Sequence, residues 1–414
     1  MAIVFLSQFI GVRQSFATSS CCQDSLQVVD MDSLATSVVN LIGNQEIVGL
    51  GEGTHGTAEF NQIRAAITRK LIAQKGFRYI CFEHNFGETA LFAKDLLSTS
   101  ATDHLEMMGL LKKHFIGIYQ NKEILEFFSW LHAYNKETKD PISLIGIDYA
   151  EALGSILTLE SSMKNVDECK PILNRLKSNA TYLDSCWNSQ SIPQDAQMWL
   201  EKGVESVDLI DNVEKIAMLK KKRELPFKMS LLNIKLVYET FNRYRLKATE
   251  VSRDSLLFQM VKQVQDVDKH AKMIIWAHDG HVAKGEVFEN EKPLGNILKD
   301  YYPGNYFSVG TITSGGKYLV TKDRFPTRYN TFFPTSLQKP INGSVEQYLD
   351  GLGQRQCLFY PGSLFDHAAL KHSTYMRFAG YNFTKKNTFQ EVNLWSCFDV
   401  LVYFRKTNPS RLFR

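Results

Sequence analysis

Residues 46–60 read EIVGLGEGTHGTAEF. Ile47, Val48 and Leu50 make a short apolar run closed by glycine, the pattern of a buried strand. Three glycines follow, Gly51, Gly53 and Gly56, with Glu52, Thr54 and His55 set between them. From Thr57 onward Phe60, Ile63, Ile67 and Leu71 recur every three or four positions, which predicts a helix. A carboxylate and an imidazole therefore stand between a strand's C-terminal end and a helix N-terminus, the place where open α/β sheets bind ligands. GEGTHG also fits G-x-G-x-x-G, with Glu83 as an acidic residue ending the next strand. A pyrophosphate, however, needs bare amides without an anion nearby. Glu52 violates that, and His55 adds bulk at the helix start, so no nucleotide cofactor is expected. Taken alone, the turn also fits a capped helix start with a structural histidine.

Outward from this turn the chain alternates strands and helices. A helix carrying Leu34, Val38, Leu41 and Ile42 precedes it, with Asp30 or Asp32 as cap. Strands are predicted at 78–83 (RYICFE) and 141–150 (PISLIGIDYA), and again at 272–277 (KMIIWA), which runs directly into His278, Asp279, Gly280 and His281. Weaker strands are predicted at 306–311, 357–360 and 398–404. The strands are apolar throughout and do not alternate, as expected when both faces of a parallel sheet are covered. The fold class is therefore α/β, a mainly parallel β-sheet with helices on both faces. Residues 151–266 show no strand pattern, and a block of that length exceeds a plain crossover. They are expected to form an inserted helical subdomain, with 30–150 and 267–414 as the catalytic core.

Composition sets few limits. A chain of 414 residues with 44% hydrophobic and 22% charged residues is ordinary globular material. A net charge of +4 is too small to imply a nucleic-acid or membrane partner, and the run Lys220 to Arg223 reads as a solvated helix face. Seven cysteines do not make a disulfide framework. Cys81, Cys357 and Cys397 read as core thiols, and Cys169 with Cys186 is the pair available if the protein is exported. Residues 1–29 are read as a leader, disordered or a degenerate signal segment. Ala2 to Val12 is apolar, but no Lys or Arg precedes it, so a cytoplasmic location is expected with export as the alternative.

The strand ends carry the functional reading. The first delivers Glu52 and His55, the second Glu83, the third Asp148, and the fourth His278 and His281. Parallel strands place these ends on one edge, so the groups are expected to line one cleft. A histidine held by a carboxylate can take a proton from water, and a second histidine or an arginine can stabilise the oxyanion that develops. Arg64, two turns into the first helix, is placed to neutralise the glutamates. The same Glu/His set leaves a second reading open, a metal-dependent hydrolase with Glu52, His55, Glu83 and His278 as ligands. No G-x-S-x-G elbow and no H-E-x-x-H is present.

The stretches GEGTHGTAEF with Arg64, FRYICFEHNFGE, LIGIDYA, RDSLLFQMV at 253–261 and IIWAHDGHVAKG at 274–285 resemble the erythromycin esterase family. PLGNILKDYY and FDVLVYF share that look, so the resemblance spans roughly residues 30–404. It implies a hydrolase that needs no metal or other cofactor, opens a macrolide lactone with activated water and so confers antibiotic resistance. His55 would be the general base oriented by Glu52, Glu83 would help bind the water, and Arg64 would organise the carboxylates. His278 and His281 would complete the pocket and polarise the ester. The implied partner is a small-molecule ester or lactone, beneath a mobile helical subdomain over a large cleft. Two departures stand out. Asp279 replaces the family's usual asparagine, adding a negative charge expected to raise a neighbouring histidine's pKa, and the tryptophan expected near Ile118 is missing.

Overall fold

Ile47–Glu52 is buried at every position and lies at the centre of the main sheet. The computed structural model describes residues 30–99, 104–189, 195–249, 251–289, 291–360, 373–384 and 386–413. The expected leader, 1–29, lies outside the described residues. In chain order the strands are β1 (Ile47–Glu52), β2 (Tyr79–Asn85), β3 (Ser143–Asp148), β4 (Met273–His278), β5 (Tyr306–Thr313), β6 (Lys317–Val320), β7 (Phe333–Ser336), β8 (Gln356–Phe359), β9 (Thr374–Arg377), β10 (Phe389–Val392) and β11 (Val400–Phe404). Seven of them form one sheet in the order β3-β2-β4-β1-β5-β11-β8. All its pairs are parallel except β11 with β8, so the expected parallel sheet carries one antiparallel edge strand. The antiparallel pairs β6–β7 and β9–β10 were not legible, because each strand is only four residues long.

Residues alternate between two apolar layers, which explains why the strand sequences do not alternate in polarity. Val48, Leu50, Phe82, Ile274 and Trp276 meet the layer built by helices Met31–Ile42, Ala58–Lys75 and Lys122–Glu137. Ile47, Cys81, Met273, Ile275 and Ala277 meet the other, built by helices Arg253–Val267, Leu294–Tyr301 and Val345–Gly351. Helix Met31–Ile42 starts at Asp30, whose carboxylate accepts from the Ser33 amide at 2.9 Å. Helix Ala58–Lys75 ends at Gly76 with φ +72°, the left-handed stop that glycine provides without strain.

Among the described residues, 151–266 hold helices and no strand. Helices Leu153–Ser162, Lys170–Asn188, Ala196–Leu219, Leu225–Val237 and Glu239–Leu246 share a separate apolar core containing Ile156, Leu176, Ile210, Ile234 and Phe241. Helix Arg253–Val267 instead gives Leu257, Met260, Val261 and Val264 to the sheet. The run Lys220 to Arg223 is a turn beyond the end of a helix rather than a helix face, with Lys221 at φ +54°. Cys81, Cys357 and Cys397 are buried thiols, and Cys169 and Cys186 are both free, not paired. No helix among the described residues is long and apolar enough to cross a membrane.

Candidate active site

The parallel register sets Glu52 of β1 directly beside His278 of β4. Close approach of β5 and of the HDGH turn dictates Gly51 and Gly53 of GEGTHG. A Cβ at Gly51 would overlap the Asp279 carboxylate, and one at Gly53 would overlap the Thr311 carbonyl. The turn is held on its other side by two distant segments. The Ala379 amide donates to the Gly53 carbonyl at 3.1 Å. The Ser410 amide donates to the Gly56 carbonyl at 2.9 Å, and Ala58 donates to the Asn408 carbonyl at 2.9 Å. Asn61 reaches the same tail through Ser410 Oγ at 3.0 Å.

Glu52 is buried and bridges an imidazole and a guanidinium. Its Oε1 lies 2.7 Å from His55 Nδ1, and its Oε2 accepts from Arg64 Nη2 at 2.8 Å. Burial alone would raise the Glu52 pKa, but Arg64 and His55 outweigh it and hold the carboxylate below its ordinary range. An ionised Glu52 accepts, so His55 carries its proton on Nδ1 and leaves a lone pair on Nε2. Arg64 is itself buried, stacked 4.7 Å over the Trp276 ring. The His55 ring sits 4.9 Å from His278 and 5.8 Å from Tyr381.

His278 and His281 occupy contrasting surroundings. His278 Nδ1 accepts from the Gly280 amide at 3.2 Å, which puts the proton on Nε2. That Nε2 is buried and has no hydrogen-bond partner among the described residues. Burial, reinforced by His55, pushes the His278 pKa down to about 3, so the ring is neutral. His281 is fully engaged. Its Nδ1 lies 2.8 Å from Asp254, and its Nε2 lies 2.8 Å from Arg253 Nη1 and 3.3 Å from Glu83. Burial would lower its pKa, but Glu83 and the hydrogen bonds to Asp254 and Glu83 raise it to about 10. The Arg253 contact is open only to a ring with a lone pair on Nε2. The observed Arg253 packing is therefore that of the minor, neutral ring; the imidazolium that prevails at neutral pH donates from Nδ1 to Asp254 and from Nε2 to Glu83, with Arg253 turned aside.

Glu83 ties the two halves together. Its Oε2 accepts from the His278 backbone amide at 2.8 Å, and its Oε1 accepts from Arg253 Nη2 at 3.0 Å. Burial would raise the Glu83 pKa, yet His281 and Arg253 hold it well below the usual carboxylate range. Asp148, at the end of β3, accepts from the same Arg253 nitrogen at 2.5 Å.

The six residues given site roles from sequence thus stand in one connected group, Glu52, His55, Arg64, Glu83, His278 and His281, and the strand-end Asp148 joins it through Arg253. Arg253, Asp254 and Tyr381 belong to the same group and were not picked out as site residues. Arg253 and Asp254 open a helix and Tyr381 lies in a loop, so the strand-end rule could not find them. One signal was present, because an arginine at the first position of a helix is electrostatically disfavoured and needs carboxylates to hold it.

The expectation for Asp279 is corrected. Asp279 is fully buried, with both oxygens against the Thr311 amide at 3.1 and 3.3 Å. Burial pushes its pKa well above normal, so it sits as a neutral acid, shaped like the asparagine it replaces. The neighbouring His278 is lowered rather than raised, and His281 owes its rise to Glu83 and Asp254.

The carboxylates a metal would draw on are already engaged. Arg64 and His55 occupy Glu52, while Arg253, His281 and the His278 amide occupy Glu83. No group of three or more His, Cys, Asp or Glu among the described residues is arranged to hold an ion. The cavities that border Glu83 and His281 measure about 40 and 30 Å³, room for water but not for a macrocycle. A cavity of about 440 Å³ lies elsewhere, behind β3, and touches none of the six residues.

The erythromycin esterase family's model matches residues 72–407, most of the chain. The chain belongs to the erythromycin esterase family. That membership makes it an esterase-like hydrolase. The matched span begins beyond Glu52, His55 and Arg64, whose place in the site is therefore argued from geometry. The chain is 24% identical to erythromycin esterase type II of Escherichia coli over 341 residues, covering 76% of this chain and 80% of that protein. Two solved structures share the fold. A protein from Bacillus cereus superposes with a TM-score of 0.74 at 19% identity, over 94% of each chain. A mutant of the erythromycin esterase EreC in its open conformation superposes with a TM-score of 0.69 at 20% identity, over 92% of this chain and 95% of that one.

Proposed function

We propose that this family member hydrolyses an ester or lactone, with a macrolide ring as the substrate class, by histidine-activated water and without a metal. The observation that carries the reading is the pairing of two imidazoles in opposite roles 4.9 Å apart. His55, with its Nδ1 proton committed to Glu52, offers Nε2 as a base to water. His278, neutral and with an unpartnered Nε2–H, offers a donor to the carbonyl oxygen as it becomes an oxyanion. Water attacks the carbonyl carbon and His55 takes its proton. The resulting imidazolium is stabilised by Glu52 and then protonates the leaving alkoxide as the C–O bond breaks. Arg64 keeps Glu52 ionised throughout. Glu83, with Arg253 and Asp148, fixes the HDGH backbone and the His281 ring, which supports His278 rather than His281 as the group facing the substrate. Asp279 acts as a neutral spacer beneath the turn, leaving the site charge much as asparagine would.

The macrolide assignment rests on the family and on the relatives named erythromycin esterase. Entry of a macrocycle requires the loops bearing Tyr381 and Phe288 to move, since Tyr381 lies 5.8 Å from the His55 ring and Phe288 lies against Gly280. Purified protein incubated with a panel of macrolides is expected to add the mass of one water to at least one of them. Prolonged chelation is expected to leave the rate unchanged. No mass gain across the panel would remove the macrolide from the reading, and activity lost to chelator and restored by one divalent ion would replace the mechanism with metal-assisted hydrolysis.

A further inference from the structure

The 440 Å³ cavity behind β3 lies between the outer strand of the main sheet and three helices, Phe86–Ser98, Leu153–Ser162 and Leu225–Val237. It lies beside the first half of β3, around Ser143 to Ile145, whereas the reacting groups sit beyond the strand's other end. Its wall is predominantly apolar, with Phe86, Leu91, Ile145, Leu157 and Met229 facing the same space. Cavities of this size with apolar walls and a few polar groups at one end are ligand sites rather than packing faults.

The polar groups are of one electrical character. Among the described residues no aspartate or glutamate lines the cavity, and Lys94 is the charged residue that does. Lys94 is exposed and makes no ion pair among the described residues. A lysine that lines an apolar wall and is itself exposed can lay its aliphatic stem on that wall and keep its ammonium in water. A second ammonium, that of Lys222, donates to the carbonyl of the lining residue Ser162 at 3.0 Å. His132, a third lining residue, is pushed down in pKa by burial and by Lys136, so it adds no charge of its own. Leu97, also on the wall, is 77% exposed, which extends the apolar surface to the rim. An apolar chamber whose described lining carries one cation and no anion is complementary to a single hydrocarbon chain ending in a negative charge.

We infer that this cavity binds an anionic amphiphile of the fatty-acid type, its chain against Phe86, Ile145, Leu157 and Met229 and its carboxylate beside Lys94. The site is separate from the hydrolytic groups and its occupant is not the ester that they cleave.

The test is calorimetric titration of the full chain with laurate below its micelle concentration, beside dodecanol and dodecyltrimethylammonium as neutral and cationic arms. Saturable one-to-one uptake is expected for laurate, weaker uptake for dodecanol and none for the cation. Lys94→Glu, a surface change that leaves the core intact, is expected to weaken laurate about tenfold while leaving dodecanol unchanged, as befits reversal of one exposed charge contact. Leu157→Trp, checked for folding by circular dichroism, fills the chamber and is expected to abolish uptake. His55→Ala is expected to bind laurate as the parent does. Absence of saturable laurate binding, equal affinity for the cation, or loss of binding in His55→Ala would each overturn the inference. So would a concentration-dependent dimer that Leu157→Trp dissolves without any laurate uptake by the parent, which would give the surface to a second copy of the chain.

Discussion

Arg64→Met puts a number on the buried pair beneath the catalytic turn. Arg64 is 1% exposed and holds Glu52 Oε2 at 2.8 Å, and two of its nitrogens, Nε and Nη1, lack partners among the described residues. An arginine so poorly satisfied is justified chiefly by the charge it faces. Replacing it with methionine of similar length leaves the Glu52 carboxylate buried with only His55 beside it. Breaking one side of a buried pair costs about 3–5 kcal/mol. The unfolding entropy of a chain this long is about 0.9 kcal/mol/K, so the loss should lower Tm by about 3–6 °C. The second half of the argument is the double variant Arg64→Met/Glu52→Gln. If the penalty is an uncompensated charge, neutralising Glu52 should recover about half of it, so the double variant should melt above Arg64→Met alone. The assay is calorimetric unfolding of the parent, both single variants and the double at pH 7. Additive single effects, with no recovery in the double, would refute the view that Arg64 is there for Glu52 and would make it a packing residue on Trp276.

Three further outcomes follow from the same geometry. His55→Ala is expected to lower turnover at least ~10³-fold with little change in unfolding midpoint, since removing a general base costs about 10²–10⁴ and the ring is a partly exposed turn residue; Glu52→Gln should lose less, and parental turnover in a folded His55→Ala would make the histidine structural. His278→Phe should lower kcat about 10²–10³-fold while KM stays near the parental value, because its free Nε2–H is useful only once charge develops on the ester oxygen; a change confined to KM would assign it to binding. Asp279→Asn should stabilise the protein above pH 5. The native acid, with its raised pKa, stays protonated, whereas the unfolded one ionises near 4, so Asp279 costs stability as pH rises through that value. Glu52 and Glu83, lowered in the native state, act in the opposite sense and lose their contribution as pH falls below about 4. Unfolding midpoints of Asp279→Asn and the parent between pH 5 and 8 should therefore diverge with rising pH, and parallel curves would show Asp279 to be ionised in the fold.

The parts legible in the sequence were those whose physics is local. Strands buried on both faces announce themselves as apolar runs; β1 and β3 end at the polar residues that close their runs, Glu52 and Asp148, whereas β2 continues two residues past Glu83 to Asn85. Placing these ends on one edge needed only the rule that parallel strands share a direction. What stayed hidden depends on contacts between distant segments. Arg253 gains meaning only when helix Arg253–Val267 meets β2 and β3, because nothing within its own stretch explains a cation at a helix start. The protonation state of Asp279 was misread for the same reason. A formal charge can be read from the sequence, but the burial that removes it requires Gly51 and Thr311 to close over it. The antiparallel direction of β8 likewise has no local cause in QCLF, since a short apolar strand pairs in either sense.

The tail that closes over GEGTHG has a consequence for the protein's susceptibility to cleavage. Asn408 and Ser410 secure the backbone on both sides of Thr57, Arg411 continues the contact to Glu123, and Asn61 links Ser410 to the guanidinium that orders Glu52. Lys406 and Arg405 immediately precede this segment and are exposed. A protease with a taste for basic residues would find a scissile site a few residues from the strap. One cut there would leave the seven-stranded sheet intact while releasing the backbone that aims His55. The chain would keep its fold and lose its chemistry, so a sample judged sound by its melting curve alone would be mistaken for active enzyme.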